Sequence, residues 1–417
     1  MVVFKFGGAS VKDAKGVRNF LATMKALDKK EVLIVISAMG KMTNALENVV
    51  DAYLDRRQDL KEKLEVVYTF HQGLIRDLGF KPKDRVYDVL TAVFDEIHSF
   101  LKQNNSTDYD YVYDQIVGHG EFLSTRICSA FLEENNYGHD WLDVRKCIKT
   151  NSDFRRARID WDKTCNLINT MVDKDGVTIT QGFLGSDNYG RTTTLGREGS
   201  DYTAGIFAYC LDVDEVSIFK DVEGVLNADP REFESTSLIE RISYKEAIEM
   251  AFYGASVIHP KTLQPLQRKG IPLKVRSFSD PGKQGTLIKS GLDIVPKIPC
   301  FIVKKEQILI SVADREFHFV MEEDISDIFR LLHQFKMKVN LIQNSALSFS
   351  VCVENNFNNF NSLFDALEPK YMVKYNEGLT LYTIRHFNED AISEIEQGRE
   401  VLLKQRSRET VQIITKS

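Results

Sequence analysis

Two glycine-bearing segments constrain the fold more than anything else in this chain. Lys5-Phe6-Gly7-Gly8 closes a β-branched run that begins at Val2. Thr194-Leu195-Gly196-Arg197-Glu198-Gly199-Ser200-Asp201 opens a stretch with helical spacing. Each follows a segment that reads as a buried strand and precedes one that reads as a helix. Glycine at a strand-to-helix turn lets backbone N–H groups approach an anion closely. Lys5 and Arg197 add fixed positive charge. Two such turns, far apart in the chain, predict one phosphate site assembled from both halves of a large α/β domain.

The size allows this. With 417 residues, 43% hydrophobic and 27% charged, the composition is that of a globular protein with a large core and more than one domain. A net charge of −6 argues against nucleic acid as the main partner. No apolar run reaches the roughly 18 residues of a spanning helix, so no membrane partner is expected. The start, Met1-Val2-Val3-Phe4-Lys5, does not read as a secretory signal. The 6 cysteines, Cys128, Cys147, Cys165, Cys210, Cys300 and Cys352, are scattered without a C-x-x-C. That spacing predicts small core residues in a reducing cytoplasm.

Val2–Phe6 and Glu31–Ile36 read as strands, and Val17, Leu21, Met24 and Leu27 recur between them at helical spacing. This βαβ unit implies a parallel sheet. Apolar stripes at Leu60, Leu64 and Val67, and from Val86 to Leu101, predict a helical subdomain inserted between strands, over about residues 45–115. Strands return at Val177–Thr180, Glu215–Phe219 and Ile271–Val275, with helices at Asp201–Cys210, Ser243–Ala251 and Lys261–Gln267. Pro281-Gly282-Lys283-Gln284-Gly285 and Pro296-Lys297-Ile298-Pro299 read as a boundary. Beyond it, strands at Ile308–Val312, Phe317–Met321, Val339–Leu341, Leu347–Val353 and Met372–Lys374 alternate with helices at Ile325–Phe335 and Phe357–Leu367. That is the ferredoxin-like β-α-β-β-α-β pattern. A partial echo follows, with strand Leu379–Ile384, helix Asp390–Gln397, and strands Val401–Leu403 and Thr410–Ile414. It stops before a second helix and a last strand.

The chain has no G-x-x-x-x-G-K-[ST] loop and no H-R-D…D-F-G set, so it reads as neither a P-loop enzyme nor a protein kinase. No His/Cys cluster has metal-ligand spacing, and no metal site is predicted. Taken singly, the remaining features have structural explanations. Gly7-Gly8 can be a tight turn, Asp201 a first-turn acid, Asp229-Pro230-Arg231 a type I turn, and Glu121 a solvated helix residue.

Together, their order and spacing resemble the aspartokinases of the amino-acid kinase family. The matching segments are Lys5–Val11, Ser37–Asn44, Gly120–Ser124, Gln181-Gly182-Phe183, Gly196–Asp201, Lys220–Val225, Asn227–Arg231, and Phe252–Ala255 with His259-Pro260. The resemblance implies an α/β fold: an αβα sandwich around a mostly parallel sheet, with the helical insertion, over residues 1–296. It implies ferredoxin-like βαββαβ ACT repeats at 297–375 and, in part, at 376–417. The implied reaction is ATP-dependent phosphorylation of the side-chain carboxylate of L-aspartate, the entry to lysine, methionine and threonine. Lys5, Gly7, Gly8 and Mg²⁺ would hold the β- and γ-phosphates, and Asp201 would orient Lys5. Arg197 would pair with a substrate carboxylate and Glu121 with the substrate ammonium. Ser37, Thr43, Phe183 and Ser200 would complete the aspartate pocket. Asp221, Asn227 and Arg231 stand where the family binds ATP. A cytoplasmic homodimer through the ACT domains is implied as well.

The chain also departs from the family. Ala9 replaces a usual threonine and Glu198 a usual glycine. Ser256 stands where many members have a lysine on the nucleotide phosphates, and Lys220, at a strand end, is the candidate replacement, with Lys261 as its rival. Asn340-Leu341-Ile342-Gln343-Asn344-Ser345-Ala346 lacks both carboxylates of the segment that contacts the inhibitor in lysine-sensitive members. Weak or absent lysine inhibition is therefore expected. Two other readings compete: a glutamate or acetylglutamate kinase, and an inactive amino-acid sensor. The Ser37…Thr43 segment argues against the first, and intact Lys5, Glu121, Arg197 and Asp201 against the second.

Overall fold

The structure, a computed structural model, describes residues 1–255, 258–316 and 318–416. The chain forms two compact units. The first holds Met1–Val225, Leu238–Ile248 and Ser256–Pro296; the second holds Leu226–Ser237, Glu249–Ala255 and Lys297–Ser417.

The first unit begins with strand β1 (Val2–Phe6), helix α1 (Ala14–Leu27) and strand β2 (Val32–Ile36). β2 is buried at every residue, as a strand covered on both faces must be. Asp13 caps α1 by accepting the Gly16 N–H. Helices α2 (Met42–Leu54), α3 (Leu60–Leu78), α4 (Arg85–Gln103), α5 (Tyr109–Val117) and α6 (His119–Glu134) follow without an intervening strand. The helical run thus continues past residue 115 and includes α6, whose face packs on the same core as β1 and β2. Then come β3 (Asp140–Leu142), α7 (Trp161–Met171), β4 (Val177–Gln181), β5 (Leu184–Ser186), β6 (Thr192–Thr194), α8 (Gly199–Leu211) and β7 (Glu215–Lys220). Short strands β8 (Val225–Leu226), β9 (Leu238–Ile239) and β10 (Arg241–Ile242) precede α9 (Tyr244–Tyr253), α10 (Pro260–Lys269), β11 (Leu273–Ser277) and β12 (Thr286–Ile288).

The main sheet has the order β10-β12-β11-β7-β1-β2-β4-β3. Every neighbouring pair is parallel except β11 with β12. This is the αβα sandwich that the sequence implies. Pro281–Gly285 is the turn between β11 and β12, so it lies inside this sheet and is not a boundary. Two cysteines also depart from expectation. Cys165 on α7 and Cys210 on α8 form a disulfide, because the packed helices bring their Cα atoms to 4.7 Å. Cys128, Cys147, Cys300 and Cys352 are buried and take no part in that disulfide. Among the described residues no helix is long and apolar enough to cross a membrane.

In the second unit β13 (Cys300–Asp314), α11 (Glu322–Gln334), β14 (Lys338–Asn344), β15 (Phe349–Glu354), α12 (Phe360–Leu367), β16 (Tyr371–Arg385), α13 (Glu389–Glu396), β17 (Glu400–Arg406) and β18 (Thr410–Lys416) follow in order. They make one antiparallel sheet, β14-β15-β13-β16-β18-β17. β13 and β16 are long and serve two ferredoxin-like repeats. Gln307–Asp314 and the first half of β16 belong to the first repeat. Cys300–Lys304 pairs with Leu381–Arg385 and supplies the strand that the second repeat lacks. An irregular register near Glu306, at φ 55°, separates the halves. In place of a second helix, Phe233 packs against Phe301 and the core of Ile384, Ile392 and Ile413. The strand expected at Phe317–Met321 is not found over 318–321, and Phe317 lies outside the described residues. There the Asp314 carboxylate accepts the N–H groups of Glu316 and His318 and bends the chain into a turn.

Candidate active site

β1 lies at the centre of the parallel sheet, between β2 and β7. Ligands of such sheets bind beyond the carboxyl ends of the strands. Lys5 is at that end of β1 and is 7% exposed. The chain then turns through Gly7 and Gly8. A side chain on Gly8 would collide with the Ala38 carbonyl, so only glycine fits. The Gly8 carbonyl accepts the Gly40 N–H at 2.9 Å, which ties this turn to the one after β2.

Asp201 sits in the first turn of α8 and is 3% exposed. Its Oδ1 lies 2.6 Å from the Lys5 ammonium. Its Oδ2 lies 3.4 Å from the ammonium of Lys220, at the end of β7. Burial pushes the Asp201 carboxyl up, but Lys5 and Lys220 prevail and hold it below its ordinary range. Asp201 is therefore an ionised clamp between two lysines and is unsuited to carry a proton at neutral pH.

Glu121, in the first turn of α6, packs against the turn after β2. Its Oε1 accepts the Ala38 N–H at 3.4 Å. Its Oε2 is buried without a hydrogen-bond partner among the described residues. Burial pushes the carboxyl up to about 8, against the Ala38 N–H and the Lys5 charge. A buried acceptor without a donor is costly and calls for a cation or a proton. The Ser124 hydroxyl donates to the Ser37 carbonyl at 2.7 Å and fixes α6 to the loop that carries Ser37. Thr43, half-buried, is in the first turn of α2.

The loop after β4 lies against the start of α8. Phe183 has φ 70° and its N–H donates to the Thr203 hydroxyl at 2.9 Å. A side chain on Gly182 would strike Ser200, and one on Gly199 would strike the Phe183 ring. Phe183 and Ser200 are thus neighbours because two glycines let them approach. Glu198, the N-cap of α8, has φ 54°, a conformation natural to glycine. Arg197 is exposed, and none of the described residues pairs with it. Lys261 is also exposed, but its ammonium reaches to 4.0 Å from where a Gly196 Cβ would stand.

The first unit thus gathers Lys5, Gly7, Gly8, Asp201 and Lys220 at one strand end, with Ser37 and Glu121 about the β2 turn and Phe183 and Ser200 at the start of α8. Asp221 is exposed in the loop after β7. Asn227 and Arg231 belong to the second unit. There the Asn227 amide donates to the Pro299 carbonyl at 3.0 Å and accepts the Ser237 N–H at 2.7 Å. Arg231 forks onto Asp229. Ser256 lies outside the described residues. Sequence reasoning missed the buried carboxylate of Asp114, whose partners flank the Gly196 turn. Its one signal is an acid amid the buried residues Val112, Tyr113, Ile116 and Val117 of α5.

Among the described residues no three His, Cys, Asp or Glu side chains are placed to hold a metal ion. The site offers ammonium groups, glycine turns and a helix N-terminus, which suit a phosphorylated ligand that carries its own cation.

A parallel α/β unit with these groups at its strand ends has the features of a small-molecule phosphotransferase. The sequence matches the amino acid kinase family over residues 1–277, and the chain belongs to that family. Within it, the chain is 32% identical over 357 residues to lysine-sensitive aspartokinase 3 of Escherichia coli, covering 85% of this chain and 78% of that protein. It is 28% identical to chloroplastic aspartokinase 1 of Arabidopsis thaliana, of which it spans 63%. The solved structure of E. coli aspartokinase III with aspartate and ADP superposes with a TM-score of 0.81 at 27% identity, over 100% of this chain and 96% of that one.

Proposed function

We propose that the chain is an aspartate kinase that transfers the γ-phosphoryl group of ATP to the side-chain carboxylate of L-aspartate, giving 4-phospho-L-aspartate. The observation that carries this reading is the Lys5–Asp201–Lys220 cluster at the strand ends, set beside Glu121, whose buried Oε2 meets no donor among the described residues. Support also comes from the relatives, which are aspartokinases by name.

The chemistry suits these residues. An aspartate carboxylate, with a pKa near 3.9 in water, is a ready nucleophile at neutral pH, so no general base is required. The demand is to align two anions and to spread the charge of the transferring phosphoryl group. Lys5 and Lys220 supply fixed charge, and Asp201 holds both ammonium groups so that they need not reorganise. Gly7 and Gly8 present backbone N–H groups. The Glu121 carboxylate receives the substrate ammonium, and Arg197 forks onto a substrate carboxylate. Ser37, Thr43, Phe183 and Ser200 line the amino-acid end of the site. Asp221, Asn227 and Arg231 are proposed contacts of the nucleotide on the strength of the resemblance. Mg²⁺ enters with ATP as part of the substrate, held chiefly by phosphate oxygens, since no protein cage is present among the described residues.

The kinase domain of this reading ends near residue 296, and the two ACT repeats share residues 297–417, the second taking Cys300–Lys304 together with 376–417. A homodimer through the ACT region, a cytoplasmic location and a place at the entry to lysine, methionine and threonine synthesis complete the proposal. The buried thiols of Cys128, Cys147 and Cys352 suit that location, whereas the Cys165–Cys210 disulfide does not follow from it. The test is ADP release by purified protein with aspartate or glutamate as acceptor. Turnover that needs aspartate supports the reading. Turnover with glutamate would replace it by another amino-acid kinase, and no turnover would leave an amino-acid sensor.

A further inference from the structure

We propose that Asp114, on α5, is the positioning residue that sets the Gly196–Arg197 turn, and through it the grip of the site on its amino-acid substrate. The inference rests on the reading of Arg197 as a contact of a substrate carboxylate.

Asp114 is fully buried. Its Oδ2 accepts the Thr194 N–H at 2.8 Å and the Arg155 N–H at 3.0 Å, and its Oδ1 accepts the Thr194 hydroxyl at 2.7 Å. Three donors converge on one carboxylate from two segments that are not adjacent in sequence. Both segments flank Gly196. Thr194 ends β6, two residues before that glycine. The Arg155 carbonyl stands 3.1 Å from where a Gly196 Cβ would be, so it forms the wall of the turn. Ala157 closes the arrangement by donating its N–H to the Thr194 carbonyl at 3.1 Å. On the far side, Leu195 donates to the Phe183 carbonyl at 2.9 Å. The start of the turn is therefore held between Asp114 and Phe183. Arg197, one residue beyond the glycine, inherits its direction from that hold.

The charges about Asp114 are consistent with a fixed support. The Arg155 guanidinium lies over the Tyr113 ring at 4.4 Å and pairs with Asp110 at 3.3 Å and Glu47 at 3.6 Å. Burial, aided by Asp110, pushes the Asp114 carboxyl up to about 6, while the three donors favour its charged form. In its charged form, which the three donors favour, it is an acceptor only. The carboxylate touches no reacting group in this reading and acts through Thr194, Arg155 and Gly196.

The test compares Asp114→Ala and Asp114→Asn with the unmodified chain. Asn keeps an oxygen for the two N–H groups and turns its NH2 toward the Thr194 hydroxyl, which can rotate to accept. Asp114→Ala should raise the aspartate KM about tenfold or more, with the ATP KM within about threefold and Asn restoring most of the loss. If Asp114→Ala does not fold, Thr194→Val, which removes one donor at nearly constant shape, decides by the same split. Folded variants with both KM values unchanged, or raised alike, would overturn the proposal. An unmodified chain that does not turn over aspartate would instead overturn the proposed function.

Discussion

On the proposed reading, Asp201 is a carboxylate that serves phosphoryl transfer without handling a proton. It is buried, ionised and shared by Lys5 and Lys220. Replacing Lys5 by Met should remove one preorganised charge and raise the barrier by about 3–4 kcal/mol, two to three decades in rate. Asp201 keeps Lys220 in that variant, so the fold should persist, as a melting curve would verify. A variant that retains more than about a tenth of the turnover would remove Lys5 from the reaction. Glu121 presents the opposite electrostatic case. Its folded pKa is raised from 4.5 to about 8, because its burial is not matched by donors. The stability tied to its proton is therefore present below about pH 4.5 and lost as pH rises through about 8. Glu121→Gln should raise the aspartate KM strongly and the ATP KM little. Without ligand, it should also melt higher than the unmodified chain at about pH 8.5 and show no such gain at about pH 5. A gain of equal size at both pH values would mean that Glu121 does not titrate between them.

Among the elements, the ends of β7 and α10 carry the two cations that the proposed function offers to the phosphates. Lys220 is anchored on Asp201 at the sheet end, whereas Lys261 is exposed and approaches the backbone at Gly196. Charge is most effective where it is fixed and dry. Lys220→Thr should therefore cost about ten- to a hundredfold in kcat/KM for ATP, and Lys261→Ala less than about threefold. The reverse order would transfer the role to Lys261. Much of this was legible in the sequence for plain reasons. β2 is a continuous apolar run, and α1 shows its buried face at Val17, Leu21 and Met24. Lys5, Gly8, Asp201 and Glu121 lie in motifs whose spacing is set by the turns they occupy. Other features were hidden because their cause is remote in sequence. Asp114 resembles its neighbours Asp108 and Asp110 until β6 is folded against it. The disulfide of Cys165 and Cys210 exists only once α7 and α8 pack. The long strand β13 reads as a short one because Glu306 breaks its alternation with a left-handed residue.

At the scale of the whole molecule, the chain enters the second unit three times, at Leu226–Ser237, Glu249–Ala255 and from Lys297 onward. Compositional signals along the sequence cannot reveal such a path, since the first two visits are brief. The second unit in turn completes its later repeat with Cys300–Lys304, residues that precede the earlier one. That loan brings Lys304 into the first repeat. Its ammonium lies 2.7 Å from the side-chain amide oxygen of Asn340 and 3.2 Å from Glu354, which also pairs with Lys338 at 3.5 Å. Burial raises the Glu354 carboxyl, but Asn340, Lys304, Asn356 and Lys338 hold it at about 2, so it is ionised and already matched. Recognition of a free lysine ammonium in a partly buried place needs an uncommitted anion. Asn340 and Ala346 provide none where the family resemblance implies carboxylates in lysine-sensitive members, and Glu354 is bound to the chain's own lysines. Lysine should therefore leave the turnover of aspartate nearly unchanged and should not shift the melting temperature, whereas a specific ligand would raise it. Half-inhibition by micromolar lysine would show that the amine finds another anion and would sink this account of the second unit.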